Sequence, residues 1–208
     1  QNNIPLVLVD REMPECQTNF VRCDDYQGGY IAGKHLLELG HRHFLYLPGP
    51  KYNLSQTRRY AGIMDALSEA NVPASNIREI DYHTVFGSSA ESTSSYKPYE
   101  ELFFPVNYTA VIGFNDLQSY SAMEILQKKG YRIPEDISLI SFDHLRKTHT
   151  YLPPLTSIAD NSEKSIADTA VSILLDKIRN PSSEVLPVSI FDDHTTGPIN
   201  ETFAHSFE

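Results

Sequence analysis

The chain has 208 residues, 40% of them hydrophobic and 21% charged, with 10 Gly and 13 Pro; this is globular composition, long enough for one large domain or two small ones. Seventeen Lys and Arg against 27 Asp and Glu give a net charge of −10, which argues against direct nucleic-acid binding, since that needs a surplus of cations to displace condensed counterions. No apolar stretch nears the roughly 20 residues that span a bilayer, no basic segment followed by an apolar one opens the chain, and the two cysteines, Cys16 and Cys23, fit plain thiols in a reducing cytoplasm rather than a disulfide scaffold or a zinc site.

Short apolar runs alternate with helical patterns along the chain. Ile4–Val9 is a run of strand formers that ends at Asp10. A helix is predicted from Asp24 to Leu39, with Ala32, Leu36 and Leu39 on one face and Gly40 as its stop. Phe44–Leu47 is the next strand, closed by Pro48-Gly49-Pro50, and a helix from Thr57 to Ala70 follows, carrying Tyr60, Ile63, Met64 and Leu67. Residues 84–108 are poor in apolar side chains and read as a polar loop and a short helix. Ala110–Phe114 is a strand; Asn115 then caps a helix from Asp116 to Lys129. Ile137–Phe142, a helix from Ser162 to Arg179 and a last strand over Leu186–Phe191 complete the pattern. Runs without polar alternation suit strands buried on both faces. Their alternation with helices predicts βαβ units and a doubly wound parallel sheet.

In such sheets ligands bind at the carboxyl ends of the strands. Asp10, Asn115, Asp143 and Asp160 sit at or just beyond such ends, Arg59 begins the helix after Leu47, and Tyr82 follows the 77–80 segment. Carboxylates, an amide, an Arg and an aromatic suit a polyhydroxylated ligand: carboxylates accept from vicinal hydroxyls, Arg and Asn donate, and a ring covers a sugar's C–H face. Each position has a plainer alternative. Asn115 can serve as a helix cap alone, Asp143 and Asp160 can satisfy loop N–H groups, Arg59 beside Arg58 can lie on a solvated helix face, and Tyr82 can simply pack. His41 and His43 flank Arg42 in what reads as a solvated turn rather than a metal site. No Gly-x-Ser-x-Gly or P-loop pattern occurs. Gly28-Gly29 stands behind Asp24 and Asp25, two acids that disfavour phosphate.

The ordered text is more specific than any single piece. Ile4-Pro-Leu-Val-Leu-Val-Asp-Arg11, Val21-Arg-Cys-Asp-Asp-Tyr-Gln-Gly-Gly29 and His35-Leu-Leu-Glu-Leu-Gly-His41 come first. Phe44-Leu-Tyr-Leu-Pro-Gly-Pro50, Arg59-Tyr-Ala-Gly62, Phe114-Asn-Asp116 and Gly130-Tyr-Arg-Ile-Pro-Glu-Asp-Ile-Ser138 follow, then Ser141-Phe-Asp143, Pro153-Pro-Leu-Thr-Ser-Ile158 and Leu186-Pro-Val-Ser-Ile190. In this order, over nearly the whole chain, they resemble the effector-binding domain of the LacI/GalR family of bacterial transcription regulators, which is similar in fold to periplasmic sugar-binding proteins.

The resemblance implies an α/β fold of the periplasmic-binding-protein-like type I, with doubly wound parallel sheets in two subdomains and an incomplete N-terminal subdomain. Residues 1–23 would be the remnant of that subdomain, 24–158 the C-terminal subdomain, 159–184 the return helix and 185–208 the final strand and tail. It implies ligand binding by Asp10, Arg59, Tyr82, Asn115, Asp143 and Asp160, a sugar or sugar derivative as effector, and no catalysis, cofactor or metal. It further implies a cytoplasmic homodimer that reaches operator DNA only through a domain not in this chain. Ligand would bridge Asp10 and Asp160 on one side with Arg59, Asn115 and Asp143 on the other, and so drive closure. Arg59→Ala is expected to abolish binding and leave folding intact. A sugar-binding receptor of a transport system is the alternative. Three departures from the family pattern stand out: His144 after Asp143, the long 84–96 stretch, and Ser162 where some members have an aromatic.

Overall fold

The computed structural model describes residues 5–13, 15, 18–80, 99–162, 164–176 and 183–207. Its elements are β1 (Val7–Val9), β2 (Asn19–Cys23), α1 (Asp25–Glu38), β3 (Phe44–Leu47), α2 (Leu54–Glu69), β4 (Ile77–Glu79), β5 (Ala110–Gly113) and α3 (Asp116–Lys128). They continue with β6 (Ser138–Phe142), β7 (Thr156–Asp160), α4 (Ile166–Asp176), β8 (Glu184–Leu186), β9 (Val188–Phe191) and α5 (Glu201–Ala204). β2, β4 and β7 add to the strand runs read from sequence.

A six-stranded sheet has the order β4-β3-β5-β6-β7-β9, and a three-stranded sheet the order β1-β2-β8. The expectation of wholly parallel sheets needs one correction: β9 runs antiparallel to β7 along the edge of the larger sheet. The single strand expected over 186–191 also divides at Pro187, which has no N–H to give to a ladder. Before it, Leu186 pairs with Cys23 in the small sheet; after it, Val188 pairs with Asp160 in the large one. The two sheets thereby share a continuous piece of chain. Backbone bonds from Asp24 N to Leu186 O (2.9 Å) and from Asn161 N to Pro187 O (3.3 Å) tie the crossing segments together.

Two layers of side chains explain the apolar runs. Phe44 and Tyr46 of β3, with Ala110 and Ile112 of β5, pack on Ala32 and Leu36 of α1 and Ile63 and Leu67 of α2. Leu45, Leu47 and Val111 point the other way, onto Ala122, Met123 and Leu126 of α3. Successive residues of a strand face opposite sides, so strands covered on both faces must be apolar throughout. The small sheet has a smaller core, in which Val21 and Leu186 meet Ala170 and Ile173 of α4.

Caps set the helix limits. α2 begins at Leu54, earlier than expected, because the Asn53 side chain accepts from Ser55 N (2.9 Å). α4 begins at Ile166 rather than Ser162, behind Ser165, whose hydroxyl accepts from Asp168 N (3.1 Å). The helix end expected at Arg179 lies outside the described residues.

His41 is not in a solvated turn. It is 2% exposed, with Nδ1 2.9 Å from the Thr109 hydroxyl and Nε2 2.9 Å from the Ser138 hydroxyl and 3.0 Å from the Gly197 carbonyl oxygen. It thus joins the approaches to β3, β5 and β6 to the C-terminal tail. Burial holds its pKa down at about 4, against a partial upward pull from the Gly197 carbonyl. Below pH 6.5 the unfolded chain takes up a proton that the folded chain refuses until about pH 4. The stability that neutral His41 supports is therefore complete above pH 6.5 and is lost as pH falls through that window. The unfolding free energy of wild type relative to His41→Gln is expected to shrink by about 3 kcal/mol between pH 7 and pH 4 in urea titrations. A difference that does not change with pH would show an ordinary imidazole.

Candidate functional site

Where the two sheets meet, Asp10, Cys23, Asp25, Arg59, Asp143 and Asp160 line a cavity of about 390 Å³, floored by Gly28, Phe142, Ile158 and Val188. Lys147, Thr148, Ser165 and Ile166 complete its walls. The acids come from strand ends: Asp10 after β1, Asp143 after β6, Asp160 at the end of β7.

Arg59 is the centre of this arrangement. It lies on α2 and is 6% exposed. Its Nε donates to Asp25 Oδ1 at 2.9 Å, its Nη1 to the Phe114 carbonyl at 2.6 Å, and its Nη2 reaches Asp143 Oδ1 at 3.5 Å. The guanidinium also lies 4.5 Å from the Phe142 ring centre and 5.0 Å from that of Phe114. Burial alone would lower its pKa, but Asp25 and Asp143 outweigh burial and the net shift is upward.

A close helix crossing puts Arg59 there. A Cβ on Gly29 of α1 would stand 1.9 Å from the Arg59 carbonyl oxygen, and one on Gly62 of α2 would stand 2.1 Å from the Tyr26 carbonyl oxygen. Only hydrogen at both positions lets the backbones approach so closely. Asp25 lies one turn before Gly29 and Arg59 one turn before Gly62, so the crossing brings the two charges together.

The carboxylates differ in how they are held. Asp10 and Asp143 adopt left-handed backbone conformations, φ 54° and 96°, and His144 continues at 49°. Such residues cost energy unless their surroundings hold them. Three successive amides of the 143–145 turn are each bound: Asp143 N to Ile158 O (3.0 Å), His144 N to the Ser157 hydroxyl (2.9 Å) and Leu145 N to Asp116 Oδ2 (2.7 Å). Ser157 in turn donates to Asp116 Oδ1 at 2.8 Å. The His144 ring stacks on Phe191 with centres 4.4 Å apart. Enclosure by the cavity walls raises the Asp10 and Asp143 pKa values, aided by the nearby Asp25 charge and opposed by Arg59. Burial and the surrounding carboxylates push the Cys23 thiol to about 12. Asp160 lines the cavity and also accepts from Ser162 N (2.7 Å) and the Ser162 hydroxyl.

Of the six residues singled out in the sequence, Asp10, Arg59, Asp143 and Asp160 converge on this cavity. Asn115 is not among its lining residues; its side chain caps α3 by accepting from Gln118 N at 3.0 Å. Tyr82 lies outside the described residues. Asp25, Cys23, Lys147 and Asp116 were missed. Asp25 was visible only as one of two acids unfavourable to phosphate, and nothing local in sequence joins it to Arg59.

Arg59 also overturns an expectation. Its removal cannot leave folding intact, because Asp25, 2% exposed, would lose its only ion pair among the described residues. Breaking a buried pair on one side costs about 3–5 kcal/mol. Urea denaturation of Arg59→Ala is expected to show a loss of that size without any ligand present. An unchanged midpoint would mean that water reaches and solvates Asp25.

A family model described as a periplasmic binding protein-like domain matches residues 34–192. The HTH-type transcriptional repressor PurR of Escherichia coli O139:H28 is 33% identical over 192 residues, covering 90% of this chain and 54% of that protein. The chain thus spans about half the length of the curated relatives it matches. A LacI family transcriptional regulator from Enterococcus faecium, solved with bound ribose, has a TM-score of 0.77 at 26% identity and covers 94% of this chain and 72% of that one. A periplasmic binding protein/LacI transcriptional regulator from Alkaliphilus metalliredigens, complexed with D-xylulofuranose, has a TM-score of 0.73 at 25% identity, over 93% of this chain and 71% of that one.

Proposed function

The chain belongs to the family of periplasmic binding protein-like domains, in the form that LacI-type regulators carry, and from that premise we propose that it binds a polyhydroxylated effector, a sugar or sugar derivative, in the cavity between its two sheets. The observation that carries this reading is the set of Asp10, Asp143 and Asp160 around Arg59 over an apolar floor. Charged acceptors fix vicinal hydroxyls by strong hydrogen bonds, and Phe142, Ile158 and Val188 suit the C–H face of a ring. The structural relatives solved with ribose and D-xylulofuranose support the ligand class.

In this reading residues 1–23 and 159–184 belong to one lobe and 24–158 to the other, and residues 185–208 supply the final strand and tail. The crossings beside Asp24, Asn161 and Pro187 act as the hinge. A ligand that contacts both lobes favours the closed form by its greater affinity for it. In a longer cytoplasmic regulator, closure changes the affinity of a DNA-binding segment for its operator. The repressor names of the curated relatives support this role over that of a transport receptor.

A panel of aldoses that includes D-ribose tests the ligand class by thermal shift. One sugar is expected to raise Tm progressively with concentration, as linkage requires. Asp143→Asn should weaken that sugar about tenfold, the loss of roughly 1.4 kcal/mol of charge-assisted bonding. Its unliganded Tm should stay close to wild type, because the Asp143 side chain is 41% exposed. No stabilisation by any sugar would overturn the reading.

The second copy of a homodimer is assigned to the α3 surface. There Leu117, Tyr120, Met123, Leu152 and Pro153 line an open groove, and Leu117 is 65% exposed. Apolar grooves of this kind mark association surfaces. Sedimentation equilibrium is expected to find a dimer that Leu117→Glu converts to monomer; an unchanged assembly would place the interface elsewhere.

A further inference from the structure

A second cavity of about 300 Å³ adjoins the first across Asp10, between the segment after β1 and the start of α2. Its charge is the reverse of the first. Three guanidiniums, from Arg11, Arg22 and Arg58, line it together with Glu12 and Asp10, in a chain whose net charge is −10. Three elements supply these cations: the exit of β1, strand β2 and helix α2. Arg58 stood out in the sequence only as the neighbour of Arg59, yet it is half-buried and engaged.

Glu12 does not saturate the cluster. A single carboxylate oxygen, Oε2, accepts from both Arg22 Nε (3.2 Å) and Arg58 Nη2 (2.5 Å). Arg22 spends a further donor, Nη1, on the Cys23 carbonyl at 3.0 Å. The remaining donors of Arg58 and all those of Arg11 make no hydrogen bond among the described residues. A guanidinium presents five N–H donors in a fixed fork that matches oxyanions. The first turn of α2 opens onto the same space at Asn53, Leu54 and Ser55 and contains no acidic residue. Its positive end therefore adds to the field of the arginines.

We propose that this cavity is an oxyanion subsite that takes a phosphate or carboxylate group beside the polyol cavity. Arg58 and Arg11 are its principal donors, and Glu12 is the internal carboxylate with which the anion competes. The assignment does not rest on the polyol reading, since it uses neither Asp143 nor Asp160.

Inorganic phosphate is the probe. Thermal shift and calorimetry at pH 7 compare phosphate with chloride at equal ionic strength. Phosphate is expected to stabilise the chain saturably where chloride does not. Arg58→Gln and Arg11→Gln should each weaken phosphate at least fivefold, and Glu12→Gln should strengthen it several-fold. Opposite signs from neighbouring substitutions exclude loss of fold as the cause. Equal responses to phosphate and chloride, or phosphate affinity that ignores all three substitutions, would overturn the subsite. D-ribose 5-phosphate then identifies how the anion arrives. Binding tighter than inorganic phosphate means an acid group attached to a polyol, and equal binding means a free anion; both sustain the subsite. A phosphate response with no sugar response would leave the subsite standing while the polyol reading fails.

Discussion

The organisation of the cavity depends on one buried guanidinium. Arg59 joins α2 to α1 through Asp25, to the end of β5 through the Phe114 carbonyl and to the turn after β6 through Asp143. A cation so enclosed is tolerable because the Asp25 carboxylate, the Phe114 carbonyl and two aromatic faces replace its water, with Asp143 a more distant partner. Once Asp25 takes its Nε, the guanidinium plane is fixed. The fork is then aimed along the strand ends toward Asp143. The geometry of the cavity wall is thus a consequence of a structural ion pair.

That pair depends in turn on the absence of two side chains. Gly29 and Gly62 let α1 and α2 approach until backbone nearly meets backbone. A methyl group at either place would separate the helices and draw Arg59 away from Asp25. Asp143 has an equivalent support in Ile158, Ser157 and Asp116, which hold the successive amides of Asp143, His144 and Leu145. Rigid elements carry the charged groups.

The large sheet was legible because its chemistry repeats along the chain. Phe44–Leu47 and Ala110–Gly113 are apolar on both faces and can be nothing but interior strands. Asn115 signalled its cap, and the cap is what its side chain does. The edges were less legible. β9 pairs antiparallel because Pro187 ends one ladder and the chain starts another, and this depends on where β7 already lies. His41 read as a turn residue since Arg42 and His43 beside it are polar. Its burial comes from Thr109, Ser138 and Gly197, which lie far along the chain.

The sequence by itself determined the alternation of strands and helices, the family, and the placing of Asp10, Asp143 and Asp160 at strand ends. Each of these follows from local pattern: hydrophobic period, caps and turn residues. Only the tertiary structure decided which charges meet. Asp25 and Arg59, and Glu12 with Arg22 and Arg58, are joined across a helix crossing and a cleft. Electrostatic attraction and desolvation act over a few ångströms of space, and separation along the chain carries no record of them.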